Sequence, residues 1–511
     1  MAVSEDHAAV LKRFREVAST EYPFELPETQ KIPRSQGVNL TSFANLKPVL
    51  WSGIMLLWAM TRHVLFIFCI LLALVTSGWW SCVFCILAGV HFVGLMSDVF
   101  FLHFVTDGLA ASLGGRDARE GIFCKASSRN NRISERLRRF VTYRPPPYLC
   151  SGNLLTIAPY LMFKGSVGGR VKYERWWVKV PAARAPDGPD GPSKKAGGDD
   201  DEAVALDVAF PAGGHRADRP AFLVLHGLNG GSTEPYVLDL VRRATREGST
   251  VAVMIARGLM KTPVRGFESF TGARSSDVAS CVDAMLHALG GESRTSAEPK
   301  KTRLVLVGFS MGGIVASNYT AKAKDSSGLA GTVSFSGTLC SEKMLLQNNA
   351  TAASLSLWQP VLAWGLKATI VRPQQAKLFT RGLSAKIVES IRTVVDIDTT
   401  LVCKYHGYAD VRDYYEDMSA AGRGDDAGIT RLAGARVPLL AVHAIDDPIA
   451  VFEVTVPNKI ATTDNVILLA TKHGGHIGWP TGWAPSKNRW NFMIDIAMEF
   501  ASAVEDAKVS K

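Results

Sequence analysis

At 511 residues, 47% of them hydrophobic, the chain is long enough for one large domain with additions. Its net charge of +10 is uneven: residues 116–144 hold nine Lys or Arg against three acids, yet no RNA- or DNA-binding motif accompanies the run, which argues against a nucleic-acid partner. The eight cysteines show no metal spacing, because Cys82 and Cys85 stand as a single C-x-x-C inside an apolar stretch, and the catalytic region is expected to be reduced and without structural disulfides.

Residues 1–47 are mixed in charge, contain prolines and keep no sustained period; they read as a loosely ordered tail. Residues 64–97 contain no Asp, Glu, Lys or Arg. At about 1.5 Å per helical residue the run is roughly 50 Å long, against a bilayer core of about 30 Å. Ser77, Gly78, Trp79 and Trp80 divide it, and tryptophan favours the membrane interface. A membrane segment over 48–105 is therefore expected, as two short spans at 64–80 and 82–102; one span with an interfacial helix at 49–60 is the alternative. A secretory signal peptide is not expected, since the apolar run starts too late and is too long. The basic residues that follow form a linker over 106–147, centred on Arg136, Arg138 and Arg139. The positive-inside rule expects them on the cytosolic face, with the endoplasmic reticulum a candidate membrane. The sequons at Asn39, Asn318 and Asn349 are then incidental.

The globular part is expected over 148–511. Residues 171–180 and 203–210 read as strands, and 181–202 between them, with four prolines, four glycines and an acidic run, as a disordered hairpin insertion. Buried strands follow at 221–225, 250–255 and 304–307, with a helix at 276–289, and later strands at 439–444 and 466–470. Such alternation predicts an α/β fold, a mostly parallel sheet with helices on both faces. Residues 338–436 are mainly helical and rich in Trp and Leu, and are expected to form a lid over the strand ends. Residues 490–504 carry apolar side chains at helical spacing and read as a C-terminal packing helix.

Between strand and helix lies LVLVGFSMGGIVASNY, residues 304–319, in which Gly308-Phe309-Ser310-Met311-Gly312 fits G-x-S-x-G. In a nucleophile elbow the serine occupies a sparsely populated backbone conformation, and flanking glycines leave room for backbone against backbone. The plainer reading, a glycine-rich turn with an incidental serine, is disfavoured by the strand before and the helix after. A serine nucleophile needs a base that titrates near neutral pH. Of eleven histidines, His476 in KHGGHIGWP follows a strand and a glycine pair; His473 is its rival. The orienting acid is sought in LLAVHAIDDPIA, where Asp446 and Asp447 follow a buried strand and one of them serves the turn. The order Ser, Asp, His is that of the α/β-hydrolase fold. Two N–H groups must face the developing oxyanion. Met311 supplies one; Leu228 in FLVLHGLNGGSTEPY is the choice for the other. A phosphate-binding reading of that glycine loop fails for want of a following Lys-Ser/Thr.

Six stretches in fixed order, HGLNGGSTEPYV, ARGLMKTP, GFSMGG, YHGYADVRDYY, AIDDP and HGGHIGW, lie within about residues 170–500. They resemble the membrane-anchored α/β-hydrolase-domain proteins of AB-hydrolase family four. That family includes yeast medium-chain fatty-acid ethyl ester synthases/esterases and animal acylglycerol lipases and phospholipases. The resemblance implies an α/β-hydrolase fold with a helical lid behind an N-terminal membrane segment. It points to Asp447 as the acid beside Ser310 and His476. The expected activity is hydrolysis of lipid esters at a bilayer without metal or organic cofactor. The H-x-x-x-x-D acyltransferase motif is absent, since Pro448 stands five residues after His443. Ester synthesis by the same residues is the second reading, a non-catalytic scaffold or receptor the third. Head group, chain length and oligomeric state are not legible.

Overall fold

Strand-forming runs of Val, Leu and Ile recur along the chain, and in the computed structural model they join into one ten-stranded sheet. The structure describes residues 5–509 apart from 27–36, most of 42–67, 101–118, 150, 164–170, 182–200, 291–301, 324–326, 348–357 and 423–428. Nearly all of the insertion expected at 181–202 thus lies outside the described residues, as do parts of the lid.

The strands are β1 (Ala18–Ser19), β2 (Gly121–Phe123), β3 (Glu174–Val180), β4 (Glu202–Ala209), β5 (Ala221–Leu225), β6 (Val251–Ile255), β7 (Leu304–Phe309), β8 (Gly331–Phe335), β9 (Leu439–Ala444) and β10 (Val466–Thr471). Their order is β1-β3-β4-β6-β5-β7-β8-β9-β10-β2. From β6 to β10 every pairing is parallel; β1, β3 and β4 at one edge and β2 at the other pair antiparallel. This is the α/β-hydrolase arrangement. The central strands are buried on both faces, which is why they read as unbroken apolar runs rather than alternating ones. In β7, Val305, Val307 and Phe309 pack with Val237 and Trp490 on one face, and Leu304 and Leu306 with Met285 on the other. The C-terminal helix Asn491–Val509 covers the first of these faces.

Two expectations about the N-terminal region need correction. The supposed tail holds helix α1 (Glu5–Val17) and edge strand β1. Val10 and Phe14, four residues apart on one helical face, are buried with Leu304, Leu306 and Met285 on the other face of the sheet, and Phe14 stacks on Trp176 at 5.2 Å. The stripe is only two residues deep and set among charges, so composition hid it. The basic linker is likewise part of the domain from about residue 119. Strand β2 pairs with β10. A helix (Ser128–Leu137), capped by Ser127, buries Ile133 and Leu137. Arg136 and Arg139 pair with Glu499 of the C-terminal helix, and Arg136 also with Asp506. Exposed ion pairs contribute little, so the buried Ile and Leu hold this helix.

Gly78 (φ +66°) divides the apolar run and a helix (Trp79–Phe100) begins directly after it. Its side chains beyond Phe92 are outside the described residues. Among the described residues no helix is long and apolar enough to cross a membrane; parts of the spans expected at 64–80 and 82–102 lie outside the described residues.

Candidate active site

Ser310 sits between β7 and the helix Met311–Ala323, with φ +53°. The flanking glycines explain how such a turn closes. A Cβ on Gly308 would lie 2.2 Å from Gly312 O, and one on Gly312 2.2 Å from Leu225 O. Ser310 N–H donates to Phe335 O at 2.8 Å, which ties the elbow to β8.

The loops after β9 and β10 bring Asp447 and His476 to this serine. His476 Nε2 is 2.7 Å from Ser310 Oγ, and Nδ1 is 2.8 and 3.1 Å from the two Asp447 oxygens. Asp447 Oδ1 also accepts the N–H groups of Ile449 and Ala450, both at 2.9 Å. Burial by itself would raise the Asp447 carboxyl. The His476 ring beside it, then His443 and the Ala450 N–H, outweigh burial and hold it below its ordinary value. The rival histidine is placed elsewhere: His473 Nδ1 lies 3.1 Å from Asp446, whose other oxygen accepts Gly475 N–H at 2.9 Å. Of these two pairs, only Asp447–His476 reaches the serine.

Met311 opens a helix, where the first N–H groups have no acceptor within the helix. Leu228 lies in a turn over residues 227–230 closed by Gly230 N–H to Gly227 O at 3.1 Å. The turn packs on the elbow, for a Cβ on Gly227 would be 3.4 Å from Ser310 Cβ. His226 ties the start of the turn to the residue after β6. Its Nε2 accepts Ala256 N–H at 3.2 Å and its Nδ1 donates to Gly227 O at 2.8 Å, a pattern only the neutral ring can make. Complete burial pushes the His226 pKa down to about 4. The unfolded chain takes up this proton near pH 6.5, the folded one only near 4. Folding stability should therefore fall as pH drops from about 6.5 to about 4, by on the order of 3 kcal/mol from this group. Urea titrations across that range should show a slope about one proton smaller in His226→Gln; equal slopes would rule the effect out.

Sequence reading missed three supports. Thr156, in the helix Gly152–Phe163, accepts His476 N–H at 2.8 Å. Ser336, at φ +51° after β8, accepts Ile477 N–H at 3.2 Å. His443, buried beside Asp447, donates Nε2–H to Ala450 O at 2.7 Å and is held below its ordinary pKa chiefly by burial. A lone hydroxyl in the apolar run LLTIAP was the one available signal for Thr156. Among the described residues no group of His, Cys, Asp and Glu could hold a metal ion.

With this geometry in view, residues 272–380 match the Phospholipase/Carboxylesterase family. The chain is 27% identical over 266 residues to a monoacylglycerol lipase of Saccharomyces cerevisiae, covering 51% of this chain and 55% of that protein. It is 27% identical over 277 residues to an abhydrolase domain-containing protein of Dictyostelium discoideum, covering 54% and 65%. Phospholipase ABHD3 of Homo sapiens matches at 24% over 294 residues, covering 56% and 64%. The chain thus spans between about half and two thirds of these relatives' lengths. These matches agree with the resemblance carried by the motifs.

Proposed function

We propose that the chain is a serine hydrolase cleaving carboxylic ester bonds of lipids through an acyl-enzyme. The observation that carries this is the continuous line from Asp447 through His476 to Ser310, at 2.8 and 2.7 Å, with the serine on a strained elbow. Ser310 Oγ attacks the ester carbonyl while His476 Nε2 takes its proton. Asp447 keeps the proton of the ring on Nδ1, so that Nε2 is free to accept. The N–H groups of Leu228 and Met311 receive the negative oxygen of the tetrahedral intermediate. His476 returns the proton to the departing alcohol. Water, activated by the same ring, then releases the fatty acid.

Lipid esters are the favoured substrates because relatives are named for monoacylglycerol and phospholipid. Medium-chain fatty-acid esters are a further candidate. Integral attachment through residues 48–105, with the domain on the cytosolic face, is part of the same proposal. Its support is the charge-free run at 64–97 and the exposure of Leu74, Val75, Trp79, Ile86 and Val90. Release of the full chain from membranes by alkaline carbonate would remove it.

The test is labelling with a fluorophosphonate probe. Wild type should label, Ser310→Ala should not, and His476→Ala should label at least about a hundredfold more slowly. A folded wild type that neither labels nor turns over esters would leave a binding scaffold as the better reading. Transfer of the acyl group to an alcohol uses the same residues, and product analysis with added alcohol separates it from hydrolysis.

A further inference from the structure

The turn offering Leu228 N–H is gripped by the lid. Its third residue, Asn229, has φ +61°, a left-handed conformation that a residue other than glycine holds at a cost and that asparagine tolerates better than most. Its side chain reaches out of the loop to the helix Gln359–Leu366, in the stretch expected to form the lid. Asn229 Oδ1 is 2.8 Å from Thr369 Oγ1, and Asn229 Nδ2 is 3.4 Å from Leu362 O. Thr369 Oγ1 is also 2.9 Å from Gly365 O, so its one hydrogen is shared between the Asn229 side-chain oxygen and the helix carbonyl. The approach is close enough that a Cβ on Gly365 would sit 2.5 Å from Asn229 Nδ2. At this point the helix leaves α geometry for a π turn, Lys367–Val371, which carries Thr369. Wide turns of this kind occur mostly as single interruptions in helices, frequently at functional sites.

We propose that the lid completes the oxyanion site. Asn229 and Thr369 are positioning residues that hold Leu228 N–H toward the oxygen that becomes charged, and they do so only while the lid helix lies against the turn. The inference rests on the ester-hydrolase reading above. It adds an order of events: substrate enters, the lid returns, and only then is the second oxyanion donor in place. A displaced lid leaves Met311 N–H as the donor that remains, so the open form is slow at chemistry even with Ser310, His476 and Asp447 aligned.

The experiment compares full-length wild type, Thr369→Val, Thr369→Ser and Gly365→Ala, using a p-nitrophenyl ester and the fluorophosphonate labelling rate. Thr369→Val should lower kcat and the labelling rate by about ten- to a hundredfold, with KM changed less than about threefold. The pH profile of kcat/KM should not move. Thr369→Ser, which keeps the hydroxyl, should restore most of the rate. Gly365→Ala, which pushes the helix off Asn229, should reproduce the loss by a separate route. Wild-type kcat in Thr369→Val and Gly365→Ala, a loss confined to KM, or a loss that serine does not repair would each overturn the proposal. A wild type without labelling or ester turnover would instead overturn the hydrolase reading, so the two failures are distinguishable.

Discussion

Asp447→Asn is expected to lower kcat/KM for ester hydrolysis by about 10⁴-fold without unfolding the protein. The reason lies in what surrounds the carboxylate. Two backbone donors, Ile449 and Ala450 N–H, point at Oδ1, while Oδ2 makes the shorter contact with His476 Nδ1. An asparagine keeps its single oxygen on the side of the two donors, so its NH₂ faces the ring. The imidazole then carries its proton on Nε2, and that nitrogen has no lone pair left for the Ser310 proton. Asp446→Asn is the matched control. It perturbs only the pairing with His473 and Gly475, and should lower the rate by no more than about tenfold. The assignment fails if Asp446→Asn is the silent enzyme and Asp447→Asn the active one.

Gly152→Ala should lower kcat/KM by about a hundredfold and destabilise the fold by about 1–3 kcal/mol. The helix Gly152–Phe163 is wedged between the acid loop and the histidine loop. A Cβ on Gly152 would fall 1.7 Å from Asp446 O, a backbone atom that cannot turn aside. Gly475, at φ +61°, meets the same first turn: a Cβ there would lie 2.6 Å from Gly152 O and 2.7 Å from Thr156 Oγ1. Either the helix retreats, taking Thr156 from His476 N–H, or the Asp446–Asp447 loop shifts under the ring. Both move His476 relative to Ser310, and a displacement near 1 Å is enough for a loss of this size. Thermal denaturation with ester kinetics on the folded fraction measures the two effects. Kinetics equal to wild type would mean that this helix does not position the base.

Much of the architecture could be read before any coordinates. Residues 221–225, 276–289 and 439–444 were expected as strand, helix and strand, and the elements fall on those bounds. They are long runs with one period, buried on both faces, so that local composition and final environment agree. Strands β1 and β2, of two and three residues, carry no period and exist because an edge of the sheet accepts them. Helix α1 escaped notice because its two buried residues acquire meaning only opposite Trp176 and the helix Ser276–Leu289. The basic run reads locally as a linker because the acids it meets, Glu499 and Asp506, are more than 350 residues away along the chain.

The sequence by itself singled out the candidate reacting groups. The serine between two glycines, the histidine after a glycine pair and the aspartates closing a buried strand are local patterns, because each must leave a strand end through a tight turn. It could not choose how the pieces meet. That Asp446 pairs with His473 and Asp447 with His476, that Thr156 holds the histidine loop, and that Thr369 reaches the turn at 227–230 from 140 residues away are facts of packing. Such contacts join side chains whose neighbours along the chain carry no trace of the partner, so only the closed sheet with its lid brings them within hydrogen-bonding distance.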